Sequence, residues 1–341
     1  MESRVRMKDI AERAGVSVVT VSKALSGMHG VSEQKRREIE NLARKMGYVH
    51  PDQDARSGRQ ESDICVLTAE RFFRVAPSMY KRMLELLSEE ADSACCRLRS
   101  SFASDRMIRE GTIPDEIVSG GEDGVIILGE LGRVYRDRLL SCCTLPFVFL
   151  DSTPPENQDG VLSDGFYGAY RLTNYLFDRG LSRIAYVGTV LSSGPVEERY
   201  LGYTRSMLEH EVKIPEKWVV DDRHPENGKM AEMDIALLPE AFVCSSDYSA
   251  AVLYRELQER GIQCPEDVSI VCFDNFHYPD PALLRFTAYE TDCREMAFKA
   301  LWILQRRIRG DSSWHGYHII SGRIVERGSV LKNVQNAHNQ P

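Results

Sequence analysis

The run from Met7 to Leu25, MKDIAERAGVSVVTVSKAL, constrains this chain more than any other stretch. Ile10, Ala11 and Ala14 recur at helical spacing and form one apolar stripe. Gly15 then offers a turn without side-chain strain, and Ser17 is a suitable N-cap for a second helix. In that second helix Val21 and Leu25 are four apart and can face the first, which leaves Val18, Val19, Ser22 and Lys23 pointing outward. Cap, turn and stripe agree on a helix-turn-helix. An exposed valine pair at a helix N-terminus is unfavourable in water but suits contact with thymine methyl groups in a major groove. A plain helical hairpin with two stray valines is the blander alternative, and it leaves that agreement unexplained.

The distribution of charge points the same way. The chain of 341 residues has a formal net charge of −8, which argues against nucleic-acid binding over its whole surface. Residues 1–60, however, hold 12 Lys/Arg against 8 Asp/Glu, an excess of +4 that leaves −12 on the remainder. A small basic head on an acidic body is what one DNA-facing part would produce. With 43% apolar residues there is material for more than one core.

The nine cysteines form neither a disulfide framework nor a metal site, since Cys95-Cys96 and Cys142-Cys143 are adjacent and lack a zinc-knuckle gap. Cys65, Cys244 and Cys272 fall in apolar strand-like runs and read as small hydrophobes. This usage fits a reducing compartment. The start, Met1-Glu2-Ser3-Arg4, has no apolar signal segment and no stretch is long enough to span a bilayer, so a cytoplasmic protein without membrane association is expected. No phosphate loop, Gly-x-Gly-x-x-Gly, Gly-x-Ser-x-Gly or helical metal pair occurs. The expectation is therefore no catalytic residues, no metal and no cofactor.

A third helix is expected over Val31–Met46, capped by Ser32, with Ile39, Leu42, Ala43 and Met46 on its apolar face and Gly47 ending it. This gives a head over residues 1–49 and a polar linker over 50–62. Strand-like runs follow at 64–68, 124–128, 147–150, 183–187, 241–244 and 268–273. They alternate with amphipathic helices at 78–92, 165–179, 198–211, 248–260 and 292–309. Repeated β-α units imply parallel sheets covered by helices, with ligands at the carboxyl ends of strands. Asp151, Ser246-Asp247 and Asp274-Asn275 stand at such ends. Asp247 and Asp164 read as helix caps; Asp151 and Asp274 read as binding residues. The tail, 331–341, is polar and without a leucine heptad, so it is expected to be flexible and not tetramerising.

At this point the chain resembles the LacI/GalR family of bacterial transcription regulators. The resemblance is densest in Lys8-Asp9-Ile10-Ala11, Ala14-Gly15-Val16-Ser17 and Thr20-Val21-Ser22-Lys23-Ala24-Leu25, and continues in Val31-Ser32 and Gly47-Tyr48. Weaker matches run through Glu122–Leu128, Leu145–Asp151, Ser182–Ala185, Glu198–Tyr203, Asp267–Asp274 and Arg323–Ser329. The resemblance implies an all-α helix-turn-helix head joined to an α/β effector domain of two Rossmann-like lobes, shaped like a periplasmic binding protein. That domain would cover 63–330, with lobe 1 at about 63–161 plus 291–320 and lobe 2 at about 162–290 plus 321–330. It also implies a homodimer on a near-palindromic operator in double-stranded DNA, probing for a small sugar-like effector and acting as a repressor of carbohydrate-related genes.

Carried onto this chain, Val18, Val19, Ser22 and Lys23 would read bases, while Ser17 and Thr20 would hold phosphates. Ser32 and the linker Arg56 complete the implied DNA set. For the effector the resemblance points to Asp151, Arg199 and Asp274, since carboxylates and a guanidinium fork each hold two hydroxyls. Ser246 stands where an asparagine is usual, His224 near where some members place a stacking aromatic, and Glu70, Arg71 and Phe73 in the cleft region, where a solvated loop is an equal reading.

The linker departs from the family pattern. Tyr48-Val49-His50-Pro51 is one residue longer, and Gly58 replaces the leucine that wedges the minor groove. Glycine offers no wedge and costs about 1 kcal/mol against alanine in a helix. With Asp52 and Asp54 repelling phosphate, a weaker DNA kink is expected. Cys272 for a usual glycine and the Leu284–Ala288 segment mark a divergent member. Two other classes compete: a solute-binding protein, which would need a signal peptide and have no use for the head, and a sugar-active β/α enzyme with a fused head.

Overall fold

The computed structural model describes residues 7–25, 35, 38–39, 42–43, 46, 62–74, 79–118, 121–224, 229–275, 286–311, 313 and 315–331. The chain divides into two compact units, Met1–Glu61 and Ser62–Pro341.

In the first unit, helices Met7–Ala14 and Val18–Leu25 are joined at Gly15, whose φ of +65° is the left-handed conformation that glycine takes at least cost. Ile10, Ala11, Val21, Ala24, Ile39 and Ala43 form its buried core, with Ala14 half-buried against them. Ala24 was not expected in that core; the side chain of Leu25 lies outside what is described. Lys35, Glu38, Ile39, Leu42 and Ala43 are helical, in keeping with a third helix. The rest of that helix with Ser32 and Gly47, the linker with Arg56 and Gly58, and the tail beyond Leu331 are outside the described residues.

The second unit holds two six-stranded sheets. The first contains β1 (Ser62–Ala69), β2 (Cys96–Ala103), β3 (Gly124–Leu128), β4 (Phe147–Leu150), β5 (Asp159–Ser163) and β11 (Tyr317–Ile320), in the order β11-β5-β4-β3-β1-β2, all parallel. The second contains β6 (Ile184–Val187), β7 (Val219–Val220), β8 (Ala241–Cys244), β9 (Ser269–Phe273), β10 (Thr287–Glu290) and β12 (Arg323–Val325). Its order is β12-β10-β9-β8-β6-β7, with only β12 antiparallel.

Alternation along each strand explains how one sheet carries two cores. Ile64, Val66, Ile126, Leu128, Val148 and Leu150 point to one face of the first sheet and meet Met83, Leu87, Ala297, Leu301 and Leu304 from helices Met79–Ser93 and Cys293–Ile308. Cys65, Leu67, Val125, Ile127, Phe147 and Phe149 point to the other, where Ile117, Tyr135 and Leu139 cover them. Strands buried on both faces read as continuous apolar runs, and those are the ones visible in the sequence. The second sheet encloses Tyr186, Phe242, Cys244, Cys272, Phe273 and Tyr289 in one large core.

The chain passes between the sheets three times, each time through one or two residues: after Ser163, after Glu290 and after Ile320. Beside the first crossing, helices Gly165–Phe177 and Gly194–Glu209 pack so closely that a Cβ on Gly202 would lie 1.9 Å from the Phe166 carbonyl oxygen. The second of these helices starts one turn before the expected Glu198, because Ser193 accepts the Val196 N–H and Pro195 fits the first turn. Asp164 caps its helix as expected, but the cap of Asp247–Glu259 is Ser246, and Asp247 is buried in the first turn instead. Strands β2, β5, β7 and β10–β12 and the helices Asp105–Glu110, Asp115–Val118 and Arg133–Cys142 were not anticipated.

Candidate functional site

The outward face of the second helix in the first unit has the composition its sequence suggested. Val18 is 45% and Val19 63% exposed; Lys23 is exposed, and Thr20 and Ser22 are half-buried. Ser17 Oγ accepts the Thr20 N–H at 3.1 Å and lies 2.8 Å from the Thr20 hydroxyl, so the two hydroxyls sit together at the helix start.

In the second unit the polar cluster forms where strands of both sheets end. Asp151 follows β4 with a φ of +51°, and Asp274 follows β9 with a φ of +88°, so both turn sharply out of their strands. Asp151 accepts from the Tyr80 hydroxyl at 3.0 Å and the Ser163 hydroxyl at 3.3 Å. Arg199, from helix Gly194–Glu209, donates to the Ser245 carbonyl at 2.5 Å and to Asp274 Oδ1 at 3.3 Å, with its guanidinium 4.3 Å from the Phe273 ring centre. Its Nε and the Ser245 hydroxyl are buried with no hydrogen-bond partner among the described residues.

The electrostatics follow from burial. Desolvation pushes Asp151 above the usual carboxylate range, although Arg199 and the Tyr80 and Ser163 hydroxyls pull it down. Asp274 is raised by burial and by Asp151, against the pull of Arg199 and Arg223. Arg199 is desolvated as well, but Asp274 and Asp151 hold it charged.

A second cluster lies at the end of β7. Asp222 is fully buried and takes hydrogen bonds from the Thr189 N–H and hydroxyl, from Arg223 Nε and Nη2, and from the Ser249 hydroxyl at 2.5 Å. These donors overcome its desolvation and hold it below the usual range. Arg223 acts electrostatically on Tyr80 and Asp274, which ties this cluster to the first.

Of the residues expected to meet an effector, Asp151, Arg199 and Asp274 come together. Ser246 is occupied as a helix cap, accepting the Ser249 N–H at 3.0 Å. Glu70 is ion-paired to Arg74, and Phe73 stands edge-on to Phe102. Arg71 bonds the Glu130 carbonyl and Asp105. His224 is exposed, its N–H on the Lys229 carbonyl. The residues missed were Tyr80, Ser163, Asp222 and Arg223. The pair Val219-Val220 ahead of Asp222 was the available signal, too short to read as a strand. A separate recess of about 640 Å³ beside Tyr254, Gln258, Cys264 and Phe286 lies toward the opposite ends of β9 and β10 and shares none of these residues.

Two family descriptions match in order along the chain: "Bacterial regulatory proteins, lacI family" over residues 6–51 and "Periplasmic binding protein-like domain" over 173–330. The chain belongs to the LacI/GalR family. Among curated relatives, the HTH-type transcriptional repressor PurR of Vibrio atlanticus (strain LGP32) is 26% identical over 95% of this chain and 98% of its own length. The repressor CytR of Escherichia coli (strain K12) is 25% identical over 96% and 97%. Among solved structures, a CelR–cellobiose complex aligns with a TM-score of 0.67 at 21% identity, covering 96% of this chain and all of that one. A lac repressor dimer bound to operator and an anti-inducer gives 0.67 at 20% identity with the same coverage. The LacI/GalR fold, a helix-turn-helix region and a two-lobed α/β domain, thus extends over nearly the whole chain. Among the described residues no helix is long and apolar enough to cross a membrane.

Proposed function

We propose that this chain is an effector-controlled, DNA-binding repressor of carbohydrate-related genes, working as a homodimer on a near-palindromic operator. The observation that carries the reading is the pairing, in one chain, of a capped helix exposing Val18 and Val19 with a charged cluster between two lobes. The proposed division is a head over 1–49, a linker over 50–62, an effector and dimerisation domain over 63–330 and a tail over 331–341.

Val18, Val19, Ser22 and Lys23 meet base edges, favouring A·T-containing steps because valine offers only apolar contact, while Ser17 and Thr20 meet phosphates. Asp151, Arg199 and Asp274 hold a hydroxyl-rich effector. Glu70, Phe73, Ser246 and His224 contribute less, since their groups are engaged elsewhere or exposed. The chain regulates and does not catalyse.

The test compares salt-dependent binding to a palindromic duplex by the whole chain and by one lacking residues 1–60. Loss of binding only in the shortened chain supports the reading, because counterion release then belongs to the head; equal binding by both rejects it. In parallel, sugars that raise the melting temperature should lose that effect in Arg199→Ala and Asp274→Ala.

A further inference from the structure

The three crossings between the sheets are fastened to one another. Where the first and third run side by side, the Asp164 N–H donates to the Ile320 carbonyl at 3.1 Å and the Ser321 hydroxyl to Asp164 Oδ2 at 3.2 Å. In the third, the Gly322 N–H donates to the Tyr289 hydroxyl at 2.8 Å. A Cβ on Gly322 would collide with the Glu290 carbonyl oxygen, where the second crossing begins. Tyr289 therefore precedes one crossing in sequence and grips another through its hydroxyl. Its ring is fully buried in a slot left by two glycines: a Cβ on Gly168 or on Gly322 would come within 2.7 Å of it.

The same residue also touches the polar cluster. Its ring centre lies 5.1 Å from that of Phe273, and the Arg199 guanidinium lies 4.3 Å from the Phe273 centre. The Asp274 N–H donates to the Tyr289 carbonyl at 3.1 Å. Packing from Arg199 to Gly322 is thus continuous through two buried aromatic rings. Any change in the angle between the lobes has to turn the chain at the crossings. When it does, either Gly322 leaves the phenol and its N–H loses that partner, or Tyr289 follows and presses on Phe273 against Arg199. Resting on the reading of the Arg199–Asp274 pair as part of the effector site, we infer that Tyr289 is the positioning residue through which that pair and the lobe angle set each other. An effector on the pair then moves the crossings without touching them.

The experiment uses the full chain, first without added ligand, and reads hydrogen exchange at residues 320–323 by mass spectrometry, with helix Arg133–Cys142 as the reference. Tyr289→Phe, which keeps the ring, should speed exchange at 320–323 about fivefold through the lost hydroxyl. Arg199→Ala should speed it about threefold, although Arg199 stands on a different element. Added to Tyr289→Phe, Arg199→Ala should have no further effect, because the link is already cut at the hydroxyl; two unconnected structural residues would add in full. An unchanged rate in Arg199→Ala, full additivity, or equal acceleration in the reference helix overturns the inference. A second arm follows duplex binding with glucose, galactose, ribose and cellobiose. For a sugar that shifts duplex affinity, Tyr289→Phe should shrink the shift about threefold while leaving the Kd of that sugar within about twofold of the parent. A full-sized shift in Tyr289→Phe overturns the inference and leaves effector control standing. Coupled exchange, together with sugars that bind without altering duplex affinity, preserves the coupling and rejects effector control.

Discussion

Asp151 and Asp222 are both buried and both lie just past a strand end, one in each lobe, yet their carboxyls shift in opposite directions. Asp222 receives five hydrogen bonds, two from a guanidinium, and stays ionised below the usual range. Asp151 receives two, both from hydroxyls, and is raised. The number and charge of the donors decide, and burial only sets the stakes. Asp222 has its lone pairs filled by the protein and serves to position Arg223. Asp151 has capacity left for something that is not protein.

The sharpest way to break this contrast is Asp222→Ala. It leaves the half-buried Arg223 guanidinium without its carboxylate and the Thr189 and Ser249 hydroxyls with only their other partners, the Arg223 carbonyl and Ser246, and a denaturant titration should show a loss of about 3 kcal/mol. An effect below about 1 kcal/mol would make the two aspartates equivalent. Next in size is the pH dependence. The stabilisation from Asp222 is present above the ordinary aspartate value of 3.8 and disappears as pH falls through its lowered value. Asp151 has the opposite sign: its contribution is present below 3.8 and is lost as pH rises through its raised value. Melting temperatures of Asp151→Asn, taken relative to the parent chain, should therefore improve from pH 4 to pH 7; a flat or falling difference contradicts the assignment. At pH 7 that variant should stay within about 1 kcal/mol of the parent in stability. The smallest effect is expected from Tyr80→Phe, about 1 kcal/mol from the lost hydroxyl donor, read in the same titration.

What the sequence made legible divides along physical lines. The helix-turn-helix was readable because its cap, turn and stripe are all local: Ser17, Gly15 and Ile10 act within a few residues of one another. Central strands such as 124–128 and 147–150 were readable because burial on both faces forces an unbroken apolar run. Edge strands β2 and β11 escaped notice because one face meets solvent and polar residues interrupt the pattern. Asp151 and Asp274 were marked by their positions at strand ends, and Arg199 was reached through the family resemblance. Asp222 and Arg223 were not, since what makes them a pair with Thr189 and Ser249 is contact across about 30 positions, which spacing along the chain does not express.

The three crossings between the sheets have a consequence during translation. Helix Cys293–Ile308 covers one face of the first sheet, and β11 and β12 supply an outer strand to each sheet, so neither lobe is complete until residue 325 has left the ribosome. The helix-turn-helix, by contrast, precedes both sheets in the sequence and has its own core. A message truncated late in its coding region would thus yield a folded reader tethered to an unfinished sensor, whose exposed first sheet invites proteolysis. Because both sheets wait for strands supplied after the third crossing, the survival of each copy is tied to its ability to respond.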